Sequence, residues 1–146
     1  MQDCPEIHPE IARLTGLLPD ADAPALHLTK EDTPFVTPQR VASFFQRIGL
    51  ANVPVHGDRV YVSDHGVPVD ITVTDEYLVY ELKMDAPNAD IERASDNPYI
   101  TAFLNNDNLI VRTAGLISAG MSDEQLGQFL NLSITQTREA MKEILG

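Results

Sequence analysis

Between residues 53 and 84 apolar side chains fall at every second position, the spacing of a strand with one face buried. Val60 and Val62 alternate with Arg59, Tyr61 and Ser63, and Asp64-His65-Gly66 supplies a turn. Val67, Val69, Ile71 and Val73 then alternate with Pro68, Asp70, Thr72 and Thr74. Asp75-Glu76 turns the chain once more, into residues 77–84, where Leu78, Tyr80, Leu82 and Met84 share a face. The pattern predicts a three-stranded antiparallel meander, with Val53-Pro54-Val55 as a short edge piece where a proline is tolerated.

Helical spacing brackets this meander. Thr37 can cap free backbone N–H groups and Pro38 suits a first turn, where its missing N–H costs nothing. Val41, Phe44, Phe45 and Ile48 follow at i, i+3, i+4 and i+7, a single buried stripe, and Gly49 ends the helix. Residues 86–97 hold good helix formers between Pro87 and Pro98, which predicts a short surface helix. A second hairpin follows: residues 99–104, a turn at Asn105-Asn106-Asp107-Asn108, and a strand from Leu109 to about Ser118, broken by Gly120. Ser122-Asp123-Glu124-Gln125 is a capping box. From there Leu126, Phe129, Leu130, Ile134, Thr137, Met141 and Ile144 keep one helical face to the end.

The order is helix, three strands, helix, two strands, long helix: an α+β domain over residues 37–146, with helices packed on a five-stranded, largely antiparallel sheet. Residues 1–36 read as a separate arm, with Pro5, Pro9, Pro19, Pro24, Pro34 and the Asp20-Ala21-Asp22-Ala23 stretch. Ile7, Ile11, Leu14 and Leu18 fall at helical spacing, so a short helix over 9–15, stopped by Gly16, is expected there, followed by an extended loop over 17–36.

Composition narrows the function classes. The 146 residues suffice for one domain, and 43% hydrophobic with 22% charged residues is the usage of a folded globular protein. No stretch approaches the roughly 20 apolar residues of a membrane helix, and the N-terminus lacks the basic start and apolar run of a secretory signal. A cytoplasmic protein is expected, and the single Cys4 agrees, since oxidising compartments leave cysteines in pairs. The net charge of −12 is spread along the chain with no basic segment, which argues against nucleic acid and anionic membrane as partners.

Candidate chemistry is sparse. Cys4 and His8 have the i, i+4 spacing of two metal ligands on a helix, but Pro5 and Pro9 spoil that helix. His56 and His65 sit beside Asp58 and Asp64 in turns that Gly57 and Gly66 already explain. Ser63-Asp64-His65 has the residue types of a nucleophilic triad, yet consecutive strand residues point in alternating directions. Asp85, Asp90, Glu92 and Asp96 lack the central Gly and final Glu of a calcium loop and read as a solvated helix face. No phosphate-cradling glycine motif is present. The sequence thus offers no catalytic, cofactor-binding or metal-ligating residue, and no enzyme activity is expected.

The element order, with TPQRVASFFQRIGL at 37–50 and GMSDEQLGQFL at 120–130, resembles the YbjN family, small bacterial proteins labelled sensory transduction regulators. The resemblance covers about residues 36–146. That family is similar in fold to type III secretion chaperones, which pair as dimers and hold other proteins on an exposed face. The resemblance therefore implies a chaperone-like homodimer that binds a protein partner or regulates through it, and it carries over no functional residue.

A rival reading is a DNA-binding regulator. DEQLGQFLNLSITQTREAMK at 123–142 has the outline of a helix-turn-helix, with Gly127 at the small position, Asn131 in the turn and Ser133 capping a recognition helix. Thr137 and Ala140 are weak where that motif wants larger apolar residues, the segment is itself acidic, and the periodicity runs through Asn131 without a phase break. One continuous helix is expected.

Because the arm has so little to bury, a chain starting at Thr33 should fold cooperatively and melt within a few degrees of full length. Thermal denaturation followed by circular dichroism checks this; aggregation or loss of the transition would place the arm in the core.

Overall fold

A computed structural model describes residues 33–146. The expected helix over 9–15, most of the arm, Cys4 and His8 lie outside the described residues. Within them, the first helix, α1 (Pro38–Arg47), begins as its sequence implies: the Thr37 hydroxyl accepts the Arg40 N–H at 3.2 Å, and Pro38 occupies the first turn. Val41, Phe44 and Phe45 are buried, the two rings meeting edge to face at 5.2 Å. Ile48, expected on the same stripe, is instead half exposed, because the helix stops at Arg47 and Gly49, at φ 107°, swings the chain away.

Six strands form one antiparallel sheet: β1 (Val55–His56), β2 (Arg59–Asp64), β3 (Val67–Val73), β4 (Tyr77–Asp85), β5 (Thr101–Asn105) and β6 (Asn108–Leu116). The spatial order is β1-β2-β3-β4-β6-β5. The sixth strand corrects the expected five. Only two residues long, β1 pairs Val55 with Val60 and His56 with Arg59. The meander itself stands where the alternation puts it, with Val60, Val69, Ile71, Val73, Leu78, Tyr80 and Leu82 buried on one face. Its first hairpin closes through His65 and Gly66, at φ 51° and 81°, the left-handed pair that suits the twist of a two-residue turn.

The expected helix over 86–97 shrinks to one 3-10 turn, Ile91–Ala94. Asp90, in extended backbone, starts it by accepting the Glu92 N–H at 3.3 Å, and the Ser95 N–H closes it on the Glu92 carbonyl. The following hairpin is tighter than its asparagines suggest. Asn105 and Asn108 pair as the last rung, and only Asn106 and Asp107 form the turn.

The C-terminal helix α2 (Asp123–Leu145) runs unbroken for 23 residues. Its capping box is present: the Ser122 hydroxyl accepts the Gln125 N–H at 3.1 Å, and the Gln125 side chain accepts the Ser122 N–H at 2.9 Å. Asn131 is an exposed mid-helix residue, so a helix-turn-helix at 123–142 is excluded. The buried stripe is Leu126, Leu130, Ser133, Thr137, Ala140 and Ile144, while Phe129, Ile134 and Met141 flank it half-buried. Small residues at the centre of the stripe let the helix lie close to β4 and β6. The Thr113 hydroxyl donates to Ser133 Oγ at 2.9 Å across this contact, and the Phe129 ring occupies the space where a side chain at Gly115 would begin.

Both helices pack on the same face as the buried strand positions. The opposite face carries a cross-strand ladder, with Arg59 on Asp70 at 2.7 Å, Arg112 on Glu81 at 3.1 Å, and the Arg112 guanidinium 4.7 Å from the centre of the Phe103 ring. The entry segment is fastened to the helices as well. The Pro34 carbonyl accepts the Met121 N–H at 3.1 Å and Arg40 Nη1 at 2.8 Å, while Arg40 Nη2 donates to Asp123 at 2.8 Å. Val36 is buried in the core.

Gly120 marks the tightest point of this junction. At φ 80° its added Cβ would fall within 2.1 Å of the Thr33 carbonyl oxygen. Gly66 has a similar φ of 81° with nothing within 4 Å. Replacing Gly66 with Ala should therefore cost only the backbone strain, roughly 1–3 kcal/mol, and Gly120→Ala should cost distinctly more. Urea denaturation of the two variants checks the difference; equal losses would mean that residues 33–34 do not pack against Gly120.

Candidate functional site

The β2–β3 hairpin and the last two turns of α2 enclose an open groove of about 860 Å³. The period of two puts Asp64 and Val67, the closing pair of the hairpin, on the helix-covered face. Leu82 of β4 forms the floor, Met141 and Leu145 the helical wall, and Val67 the opposite wall. His65, Glu139 and Lys142 stand at the rim. The cavity is apolar within and charged at its margin, which suits an apolar side chain or short segment carrying polar neighbours.

One ion pair ties the two walls together. Arg138 grips Asp64 with two nitrogens, Nε at 3.1 and 2.9 Å from the two carboxylate oxygens and Nη2 at 2.6 Å from Oδ1. The fork geometry of guanidinium and carboxylate makes such a pair directional as well as attractive. The Asp64 side chain is only 12% exposed, so removing this partner would leave a mostly buried carboxylate without its ion pair. Hydrogen bonding to Asp64 raises the Arg138 pKa. Burial, reinforced by the Asp64 charge, also pushes the neighbouring Tyr80 hydroxyl well above its ordinary value, so the phenol stays protonated.

The residues singled out from the sequence are not brought into a reactive constellation. Ser63 faces the opposite side of the sheet from Asp64. His65 Nε2 is 3.8 Å from Asp64 Oδ1, beyond hydrogen-bonding distance, and Arg138 already engages that carboxylate. His56 lies against Tyr61, ring centroids 5.8 Å apart, near Asp58 in the next turn. Asp90 caps the 3-10 turn and lies 3.4 Å from Arg93, while Asp85 ends β4. Among the described residues no group of three or more His, Cys, Asp or Glu converges on a common point. Gly127 faces the Phe44 ring, and Ser133, cast as a cap in the helix-turn-helix reading, is buried against the sheet. The groove itself escapes sequence reasoning, because Asp64 and Arg138 are 74 positions apart and no local period links them.

The architecture is that of a small α+β protein with a wholly antiparallel sheet covered on one face by two helices. Among solved structures it is similar to YbjN from E. coli, described as a candidate transcription regulator, with a TM-score of 0.55 and 14% identity over 70% of this chain and 86% of that one. That likeness reaches the fold alone. No family model and no curated protein matches the chain. No helix among the described residues is long and apolar enough to cross a membrane.

The Asp64–Arg138 pair yields a testable asymmetry. Arg138→Met strands a mostly buried carboxylate and should cost about 1–3 kcal/mol, whereas Asp64→Asn with Arg138→Met should recover part of that loss. A double-mutant cycle by urea denaturation measures the coupling; additive losses would show that the pair contributes nothing.

Proposed function

We propose that this chain is a non-enzymatic regulatory module that works as a homodimer and binds a protein partner in the groove between the β2–β3 hairpin and the end of α2. The observation that carries the reading is the groove: an open concavity with Val67, Leu82, Met141 and Leu145 inside and a charged rim. Its walls are already braced by Asp64 and Arg138, so little ordering remains to be done when an apolar segment enters. The regulatory part of the reading rests on the YbjN-like fold and on the description of that neighbour.

Direct reading of DNA has less support. The segment resembling a helix-turn-helix is one helix, one of its two cations is committed to Asp64, and a net charge of −12 opposes a phosphate backbone. Regulation through a bound protein needs neither a basic surface nor a recognition helix.

Affinity purification from native cells with mass spectrometry, run in parallel on the wild type and Leu145→Lys, tests the proposal. Leu145 is half exposed, so the substitution should leave the fold intact, as circular dichroism will show. Partners recovered with the wild type should be lost with Leu145→Lys. Retention of the same partners would reject the groove, and a mobility shift of genomic DNA at physiological salt would favour a DNA-binding regulator.

A further inference from the structure

We propose that the outer edge of β5 is the dimer interface, two copies pairing antiparallel about Phe103 so that their sheets join into one. This deepens the homodimeric reading above and rests on it. A sheet edge is a template for another strand unless something blunts it. At one end of this sheet β1 is two residues long, follows Pro54 and ends at Gly57, so it offers almost no template. At the other end β5 offers five residues, Thr101–Asn105, without charge or proline, and no described residue pairs along its outer side. Residues 97–106 carry no charge at all, in a chain of net charge −12, so the paired strands themselves set no like charges against each other.

The strand is also self-complementary. Antiparallel pairing centred on Phe103 sets Thr101 against Asn105 of the second copy, Ala102 against Leu104, and Phe103 against itself. Ala102 and Leu104 share the helix side, as their pairing with Val111 and Leu109 shows, so apolar residues meet apolar ones and polar meet polar. Shape agrees with polarity. Beside Ala102 lies an open hollow of about 300 Å³ between Ile91, Ala94 and Ile100, with Glu92 and Ser95 at its margin, while Leu104 projects 38% exposed. Pairing puts each Leu104 opposite the other copy's Ala102, where that hollow opens, and twofold symmetry repeats the fit. On the other face the two Phe103 rings meet, each braced by its own Arg112.

Light scattering of the full chain at micromolar concentration should give twice the 16.1 kDa chain mass, and Leu104→Lys should reduce it to one. In a Cys4→Ser background, Thr101→Cys with Asn105→Cys should oxidise to a crosslinked dimer on a denaturing gel. The two positions of one strand are about 13 Å apart, too far to close on themselves. Glu124→Cys in the same background, far from the edge, should stay uncrosslinked. A monomeric wild type would overturn both the homodimer and this interface. A dimer that ignores Leu104→Lys and leaves Thr101→Cys/Asn105→Cys uncrosslinked would overturn the β5 assignment alone.

Discussion

The rest of the structure depends on how closely α2 lies against the sheet. A 23-residue helix with large side chains along its whole buried stripe would stand away from β4 and β6; Ser133, Thr137 and Ala140 bring it in. The cost is buried hydroxyls, each of which must find a partner. Thr113 donates to Ser133, Ser133 to the Phe129 carbonyl at 2.9 Å, and Thr137 to the Ser133 carbonyl at 2.8 Å. The close approach brings Arg138 within reach of Asp64, and from that follow the two walls of the groove.

What could be read beforehand was what depends on neighbours along the chain. The start of α1, the capping box, the alternation of β2 to β4 and the continuity of α2 are all local periods or local hydrogen bonds, and each lies where its residues imply. The failures share the opposite cause. Ser133 and Ala140 stand at helical spacing with Leu126, Leu130, Thr137 and Ile144, but one is polar and the other small, so the apolar pattern passes over them, and only the Thr113 hydroxyl across the contact shows why a serine is buried there. The edge piece expected over 53–55 does form, but as Val55–His56, where Val60 and Arg59 offer it partners. The helix expected over 86–97 yielded to Asp90, whose carboxylate satisfies the backbone in a tight turn more readily than in a long helix. The candidate site was illegible for the same reason: its apolar residues each look like ordinary core or surface until two distant elements are laid side by side.

The two sheet faces divide the labour of holding the fold. Apolar burial dominates under the helices. On the far face, Asp70 raises the Arg59 pKa and Arg112 spans from Glu81 to Phe103, so charged side chains use their stems to cover apolar surface, while Ile110 beneath them is only 5% exposed. An acidic chain thus spends most of its few cations on fixed internal partners, which leaves its outward field negative and its contacts with other molecules to be settled by shape and apolar fit.

The fastening of Pro34 at the start of α2 separates two poles of the molecule. The helix is about 35 Å long, with the entry segment secured at one end and Gly146 lining the groove at the other. A carrier protein or a surface joined directly to Thr33 is tethered at the pole away from the groove and leaves its mouth clear. One joined through Gly146 grows out of the mouth itself and competes with whatever would enter it.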